Sequence, residues 1–407
     1  MTASRKLCAC LSSIAILLTM SGCHAFSALL TSQRDPTADP EAYIQEFRYN
    51  RLYNLLDKDL QQCYGTLYTA LTDGFDHDDA VTLLGKETEQ KSTIGLAVKL
   101  PCDVSSMNEA KTLYNAFAYD NPQFFYLSNT YGLEGYEKKG AAHYDTLVLS
   151  YTMDAATRRE AQKKFDDSIN KILVDRPQTT DDFETELYLH DKLIEGCTYD
   201  IEAASAGFAE EPTAYSAYGA LVEGEAVCEG YARAIQLLLK RCGIHSTLVI
   251  GESVKSGEQH MWNLVSVNGK EYHLDATWND SEDRTRHNYF NVTTNQISIS
   301  HRIAEKQLGV TNCIATDDNY YVRNGWYVDT YNRQQIAEII AERIKRGATA
   351  VELFFAEDKF DNALLFLKNR QAAKDIINPY LTDSGISLWD YTLYGETDEH
   401  ILCIRKK

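Results

Sequence analysis

The chain has 407 residues, which is too long for one ordinary hydrophobic core, so two or three domains are expected. Hydrophobic residues make up 44% of the chain and aromatic residues 11%, with 26 tyrosines, and this composition excludes a disordered protein. The 59 acidic residues outnumber the 40 basic ones, and the resulting net charge of -19 repels nucleic acid phosphates, so we expect no nucleic acid partner.

The first residues have the pattern of a bacterial export signal. Two basic residues precede an apolar run, residues 7–20, that is too short to span a bilayer. The run ends in Met-Ser-Gly before Cys23, which resembles a lipoprotein signal, in which the cysteine is lipidated and becomes the new N-terminus. A plain secretory signal with an incidental cysteine is the alternative. We therefore expect a lipoprotein signal peptide at 1–23, a polar linker at 24–40, and a protein anchored by lipid on the extracellular face of the cytoplasmic membrane, or else secreted.

Residues 41–178 are predicted to form an N-terminal helix-rich domain. Its first part, Tyr43 to Leu71, has helical spacing of apolar residues. An Asp-Asn-Pro-Gln turn precedes a short aromatic strand, and residues 146–152 are rich in β-forming residues. A second helix is predicted from Asp154 to Val174, before a proline breaks the pattern.

The region 179–300 begins with a helix start at Asp181 and contains the most informative stretch of the chain. The residues Gly-Glu-Ala-Val before Cys228 lead into a helix whose apolar positions are spaced by four, three and four residues, up to a stop at Gly243. Cys228 would lie in the first turn, where unpaired N–H groups and the helix dipole favour a thiolate and could stabilise an oxyanion. Taken alone, this cysteine could equally be a buried structural residue.

A predicted β-hairpin follows. Residues 260–267 predict one strand, Asn268-Gly269 a two-residue turn, and residues 270–277 the returning strand. Pairing across that turn places Trp262 opposite Asp275 and His260 opposite Thr277. These four side chains would then share one face of the sheet, with His260 and Asp275 as diagonal neighbours, whereas a slip of one residue would separate them.

Cys228, His260 and Asp275 are the residue types that thiol catalysis requires. A cysteine attacks a carboxamide well only as a thiolate, and a neighbouring histidine takes the proton and returns it to the leaving amine. A carboxylate fixes the tautomer of the histidine and stabilises the imidazolium. A surface histidine and a strand-end aspartate are the alternatives for each residue taken singly.

The third region, 301–407, predicts a small α+β domain without recognisable chemistry. It opens with a predicted hairpin at Asn324-Gly325. A helix follows with apolar residues at helical spacing and ends at Gly347. Strands are predicted at 350–356, 388–394 and 401–404, with helices between the first two.

Cysteine usage indicates a free thiol. After removal of the signal and lipidation of Cys23, seven cysteines remain, and an odd count in an exported protein leaves at least one unpaired. No Cys-x-x-Cys spacing indicates a zinc site, and the scattered positions do not indicate a disulfide framework.

Three motif blocks resemble the core of the transglutaminase-like superfamily. They are Gly-Glu-Ala-Val-Cys-Glu-Gly-Tyr-Ala around Cys228, His-Met-Trp-Asn from His260, and His-Leu-Asp-Ala-Thr-Trp-Asn around Asp275. The resemblance covers about 180–300 and implies a papain-like α+β fold, in which the helix bearing the cysteine packs on an antiparallel sheet. It assigns the nucleophile, the base and the orienting carboxylate to these three residues, and it implies that no cofactor is needed.

Further site residues are predicted with their alternatives left open. Tyr218 is a candidate second oxyanion donor, with core packing as the other interpretation. Trp262 and Trp278 are candidate walls of a substrate groove, or equally core residues. No metal site is predicted, since neither a His-Glu-x-x-His motif nor calcium-loop spacing occurs.

The favoured hypothesis is a thiol enzyme that acts on amide bonds of proteins or peptides at the cell surface through an acyl-thioester. The resemblance leaves open whether it is a peptidase or amidase or cross-links proteins, and abundant water outside the cell slightly favours hydrolysis. The alternative is a non-catalytic surface module that binds cell-wall polymer or a partner protein. The sequence predicts no oligomeric state.

Overall fold

The computed structural model describes residues 7–11, 47–84, 90–138, 141–281, 284–396 and 399–407. The chain divides into two compact units, the first made of 1–286 and 301–312, and the second of 287–300 and 313–407. The predicted domain boundaries at 178/179 and 300/301 stay predictions.

The predicted lipoprotein signal lies mostly outside the described part of the chain. Cys23 and the predicted linker at 24–40 are not described, and the signal peptide stays a prediction. Residues 7–11 form an edge strand, which the mature protein would lack if the signal is removed. Among the described residues, no helix is both long enough and apolar enough to cross a bilayer.

The first unit contains the N-terminal region and the predicted core. Its α-helices, α1 to α7 in chain order, are Lys58–Asp73, Met107–Asp120, Ala155–Val174, Asp182–Gly196, Ile201–Ala206, Cys228–Arg241 and Ala276–Asn279. Its strands, β1 to β13, are Leu7–Leu11, Asp79–Leu84, Gln90–Val104, Leu127–Lys138, Ala141–Tyr151, Thr198–Tyr199, Glu225–Ala226, His245–Ser253, Gln259–Val267, Lys270–Leu274, Asp280–Ser281, Arg284–Thr285 and His301–Ile303. Short helical turns occur at Tyr53–Leu55, Pro212–Tyr215 and Gly219–Glu223.

The N-terminal region is α+β rather than mostly helical. Its described strands form an antiparallel sheet in the order β1-β4-β5-β3-β2. The sequence predicted this sheet only in part, because irregular pairing interrupts the two-residue alternation that identifies a strand. One such register shift lies between Lys99 and Val104 in β3.

Two of the predicted helix starts in the first unit are confirmed by capping side chains. Asp154 accepts a hydrogen bond from the Thr157 amide at 2.8 Å, and α3 ends at Val174 as predicted. Asp181 accepts from the Phe183 amide at 3.2 Å and begins α4. These contacts satisfy amide groups that a first helical turn leaves without partners.

A disulfide bond joins Cys63 in α1 to Cys102 in β3, with 6.7 Å between their Cα atoms. The sequence did not indicate this pair, because the two cysteines are 39 residues apart on different elements. Free thiols within the described ranges are Cys197, Cys228, Cys242, Cys313 and Cys403. The prediction of at least one free thiol is therefore confirmed.

The core of the predicted catalytic region is the helix α6, Cys228–Arg241, packed on the sheet β10-β9-β8-β13. Nearly all of its residues are buried, from Cys228 through Leu239. Within this helix, Arg233 donates from Nε to Oε1 of Glu229 at 2.8 Å, and its Nη2 atom forms an ion pair with the same oxygen at 2.7 Å. Both side chains are fully buried. A buried cysteine-bearing helix on an antiparallel sheet is the arrangement that the sequence predicted.

The predicted hairpin register is confirmed. Val267 pairs with Lys270, and the pairing continues to Asn263 with Leu274. Asn268 and Gly269 have φ angles of 49° and 77°, as a type I′ turn requires.

The predicted second strand is too long, because β10 ends at Leu274. Asp275 caps the short helix α7, so Thr277 lies in a helix and not opposite His260. The chain leaves the sheet at this point because the Asp275 side chain accepts from the Trp278 amide at 3.1 Å, a helix cap that competes with continued strand pairing.

The second unit is a small α+β fold, as predicted. Its helices, α8 to α12, are Thr294–Ile297, Tyr320–Arg323, Arg333–Lys345, Phe360–Lys368 and Arg370–Ile377, and its strands, β14 to β17, are Tyr327–Val328, Ala350–Phe355, Tyr391–Glu396 and Ile401–Lys406. The sheet order is β14-β15-β17-β16, with β14 parallel to β15 and the other pairs antiparallel.

The hairpin predicted at Asn324-Gly325 is wrong. Tyr320–Arg323 is a helix, because the Asn319 side chain accepts hydrogen bonds from the first-turn amides of Tyr321 and Val322. Gly325, at φ 73°, ends that helix, and the following Trp326 amide donates to the Tyr321 carbonyl at 2.8 Å. An Asn-Gly pair that favours positive φ serves here as a helix terminus rather than as a strand turn.

Candidate active site

Cys228 is the first residue of α6, as the sequence predicted. Val227 precedes it with extended backbone and no capping side chain, so the first-turn amides are not occupied by a side-chain cap. Cys228 is a buried free thiol, with 8% of the residue exposed. The helix terminus favours negative charge at this position.

His260 and Asp275 are brought together as predicted. His260 is the second residue of β9. Its Nε2 atom lies 2.6 Å from Oδ2 of Asp275. The second carboxylate oxygen accepts from the Trp278 amide at 3.1 Å, so the helix cap holds the carboxylate in place. Because Asp275 occupies Nε2, the Nδ1 side of the ring is left for the hydrogen bond that His260 makes with Cys228.

The charges of these groups favour an ion pair. Burial alone would lower the pKa of His260, but the Asp275 carboxylate and the hydrogen bond with Cys228 raise that pKa to about 10. Burial pushes the pKa of Asp275 upward, but His260 and His301 outweigh it and hold that pKa well below the usual range. Asp275 is therefore ionised, and His260 carries a proton over the neutral range.

His301 is a site residue that the sequence analysis missed. It begins β13, and its Nε2 atom lies 3.0 Å from the same Asp275 oxygen that His260 contacts. Its side chain is fully buried. No motif marks it, because a three-residue strand carries too little periodicity to be predicted, and the structural proximity depends on the pairing of β13 with β8.

A second layer of buried polar side chains lies behind His260. The Trp262 indole donates from Nε1 to Nδ1 of His273 at 3.1 Å, which requires a neutral His273 ring. Burial and the neighbouring His301 lower the pKa of His273 to about 4, in agreement with a neutral ring. The rings of His260 and Trp262 are stacked with 5.8 Å between centroids.

A buried histidine of α4, His190, supports the third motif block. Nδ1 of His190 lies 2.8 Å from Asp191, and Nε2 lies 3.0 Å from the side-chain nitrogen of Asn279. His190 and Asn279 are both buried. These contacts tie α4 to α7, the helix that Asp275 begins.

The remaining predicted residues lie at different depths. Trp262 is 1% exposed and lies in the core beside His260, whereas Trp278 is half-buried and packs 4.2 Å from the His301 ring. Tyr218 stacks on Phe125 with ring centroids 4.7 Å apart, and burial together with Glu223 raises its pKa to about 12. Roles for the two tryptophans in a groove and for Tyr218 as an oxyanion donor stay predictions.

Two other tyrosines lie within electrostatic reach of Cys228. Burial and then the charge of Cys228 raise the pKa of both Tyr199 and Tyr215. Tyr215 donates its hydroxyl to the Ala203 carbonyl at 3.1 Å, whereas Tyr199 is 41% exposed in the strand next to Ala226. Tyr199 is therefore the better placed of the two to contact a substrate. The sequence analysis gave Tyr199 no role.

The His260, Asp275 and His301 ligand atoms lie within 4.8 Å of one another, close enough to hold a metal ion. Both histidine nitrogens point to one carboxylate oxygen, so hydrogen bonding accounts for their arrangement.

This arrangement can support nucleophilic chemistry on an acyl group. It provides a nucleophile at a helix N-terminus, a protonated imidazole beside it, and a buried carboxylate that orients the imidazole.

A cysteine at the start of a buried helix, packed on an antiparallel sheet that carries the histidine and ends at the aspartate, is the arrangement of a papain-like fold. Residues 173–276 match the family model of the transglutaminase-like superfamily. The matched segment contains Cys228, His260 and Asp275, and its similarity is to the transglutaminase-like superfamily.

Solved structures with similarity to the chain are distant. One described as "a TGase" has 14% identity and a TM-score of 0.27, over 47% of this chain and 52% of its own. A "Putative Cysteine Protease from Cytophaga hutchinsonii" has 16% identity and a TM-score of 0.23, over 36% and 56%. A "putative protease from Parabacteroides distasonis" has 13% identity and a TM-score of 0.23, over 49% and 36%. This chain thus spans about half the length of the first two solved structures. A comparison with curated proteins found no match.

Proposed function

We propose that this protein is a thiol enzyme that acts on carboxamide groups of proteins or peptides through an acyl-thioester on Cys228. The observation that carries this proposal is the 2.6 Å contact between His260 and Asp275, next to a cysteine at the start of α6. A non-catalytic module has no requirement for a buried, ionised carboxylate aimed at a histidine that contacts a free thiol.

The first half of the reaction forms the thioester. The Cys228 thiolate attacks the carbonyl carbon, and the C=O electron pair moves to oxygen, where first-turn amides of α6 can stabilise the charge. As the carbonyl re-forms, the C–N bond breaks and His260 gives its Nδ1 proton to the leaving nitrogen, which departs as ammonia or an amine. His260 is then neutral, and Asp275 keeps its Nε2–H oriented.

The second half regenerates the thiolate. Neutral His260 takes a proton from water or from a primary amine, whose lone pair attacks the thioester carbon. The C–S bond breaks, the acid or the new amide leaves, and the thiolate and imidazolium pair is restored. Water gives hydrolysis and an amine gives transamidation, so the same three residues serve both outcomes.

We propose that this chemistry takes place outside the cell, on a protein held at the membrane by lipid on Cys23. The lipoprotein-like signal supports this location. The Cys63–Cys102 disulfide also supports it, since disulfides persist in oxidising compartments. The proposed substrates are therefore proteins or peptides of the cell surface.

The test is incubation with glutamine-containing peptides, with and without a small primary amine. We expect release of ammonia, incorporation of the amine or a new carboxylate in the peptide, and an acyl adduct on Cys228 in the intact mass. Cleavage of the peptide backbone would show peptidase activity instead. Cys228→Ser is the matched control and should give no thioester. A reactive Cys228 that forms neither adduct nor product across a peptide library would favour the binding module.

A further inference from the structure

His301 donates to the carboxylate that orients His260, yet it lies 25 residues beyond the family match and outside all three motif blocks. We propose that His301 is a positioning residue of this site. It fixes Asp275, so that the negative charge of the Asp275 carboxylate is shared between His301 and His260. The inference rests on the proposed function, because it assigns His301 a part in preparing the same imidazole for proton transfer.

The direction of the hydrogen bond follows from the charge of Asp275. The carboxylate is fully buried and ionised, so it can only accept. Oδ1 accepts from the Trp278 amide, and Oδ2 accepts from both His260 and His301. His301 must therefore carry its proton on Nε2, and one oxygen serves two imidazole donors.

Three neighbouring rings pack against His301 and fix the position of its ring. Its centroid lies 4.2 Å from the Trp278 ring, 4.9 Å from the Trp262 ring and 5.2 Å from the His260 ring. The two histidines lie on β9 and β13, which flank β8. Gly251 of β8 pairs with one residue of each of these strands. A Cβ on Gly251 would lie 2.6 Å from Cη2 of Trp262 and 2.3 Å from the Arg302 carbonyl oxygen. The glycine thus leaves room for the Trp262 ring, which packs beside both histidines.

A hydrogen bond from His301 to Asp275 changes the acidity of His260, whereas packing of the His301 ring alone would not. A carboxylate that gives part of its electron density to His301 holds the His260 proton less strongly than one that serves His260 alone. Removing the His301 donor therefore makes His260 a weaker acid, so that it keeps its proton to higher pH and gives it less readily to a leaving nitrogen. In the described part of the chain, the titratable groups near His301 include Asp275, which caps α7, His260 of β9 and His273 of β10.

The test compares wild type with His301→Phe and His301→Gln. Phenylalanine fills the ring position between the tryptophans without a donor, and glutamine restores an N–H near the position of Nε2. His301→Asn, whose amide stops short of Asp275, is a second loss variant in case the phenylalanine is not accommodated.

Alkylation by iodoacetamide, mapped to Cys228 across pH, reports the titration of His260 without any substrate. In wild type the rate should change at the pH where His260 loses its proton. We expect this step to move upward by about one pH unit in His301→Phe, the order of one charge-assisted hydrogen bond, and to return in His301→Gln. Proton NMR should show the His260 Nε2 proton, which is bound to Asp275, further downfield in His301→Phe than in His301→Gln.

The outcomes separate this inference from the proposed function. A reactive wild-type thiol whose profile is the same in all variants would overturn the inference alone. A downward shift in His301→Phe would overturn it too, since His301 would then be adding to the hold on His260. A wild-type Cys228 that reacts no faster than an ordinary thiol would overturn the proposed function and this inference together.

Discussion

Asp275→Asn is the substitution that most directly perturbs the electrostatics of the site. The carboxylate accepts from the Trp278 amide and from two imidazoles. An asparagine oxygen can keep the bond to the Trp278 amide, but its NH2 group then faces two N–H donors. His260 can relieve this conflict only by moving its proton to Nδ1, which is the wrong tautomer for accepting a proton from Cys228.

The size of the effect follows from the pKa of His260. A rise from 6.5 to about 10 corresponds to about 5 kcal/mol of preference for the protonated ring, and it is achieved against the cost of burial. Because the folded-state pKa lies above the unfolded value, this stabilisation is complete below pH 6.5 and is lost as the pH rises through about 10. We expect Asp275→Asn to lower the free energy of unfolding by about 3–5 kcal/mol at pH 7, and by less above pH 10.

Urea denaturation at pH 7 and at pH 10.5 measures this loss, and the alkylation rate of Cys228 at pH 6 measures the loss of the ion pair. We expect this rate to fall in Asp275→Asn, because a His260 ring without the carboxylate no longer holds its proton beside the Cys228 sulfur. The matched control is Asp280→Asn, where an amide oxygen can still accept the Tyr231 hydroxyl now bound at 2.6 Å, at a cost of about 1 kcal/mol or less. If Asp275→Asn behaved like this control, the reasoning about the carboxylate would be refuted.

Three further predictions concern the framework of the site. Replacing Cys63 and Cys102 with serine should cost about 4 kcal/mol, because the bond closes a loop of 39 residues, and an unchanged urea midpoint would contradict this. Arg233→Met should cost about 3–5 kcal/mol at pH 8 by leaving the buried Glu229 carboxylate unpaired. The cost of this substitution should be smaller at pH 5.5, since burial already raises the pKa of Glu229 to about 7. An acid with a raised pKa destabilises the fold as the pH rises. Equal costs at pH 5.5 and pH 8 would show that Glu229 stays charged. Gly269→Ala should cost about 1–2 kcal/mol in thermal unfolding from its positive φ alone, because a Cβ there meets no atom within 4 Å, and a neutral result would mean that the turn rearranges.

The central geometry of the site could be predicted from local signals. An Asn-Gly turn fixes the register of the strands before and after it, and that register brings His260 next to Asp275. The start of α6 at Cys228 followed from helical spacing, and the helix begins there. Both inferences depend on residues close in sequence, for which local backbone preferences decide the structure.

The features that the sequence analysis missed depend on distant pairing or on competition between local motifs. His301 reaches Asp275 only because β13 pairs with β8, and the Cys63–Cys102 bond depends on where β3 lies against α1. Asp275 itself was placed in a strand, whereas its side chain ends the strand by capping a helix. At Asn324-Gly325 the same kind of turn residues end a helix, because the preceding Asn319 had already capped one.

The most direct test of the account is the pH dependence of iodoacetamide labelling of Cys228 in the purified mature protein, compared with Cys228→Ala and His260→Ala. The account predicts one thiol that reacts well below neutral pH, maps to Cys228, and slows in His260→Ala to the rate of an ordinary thiol. A Cys228 that reacts below neutral pH no faster than the other free thiols, or equally fast without His260, would contradict the thiolate and imidazolium pair on which the proposed function depends.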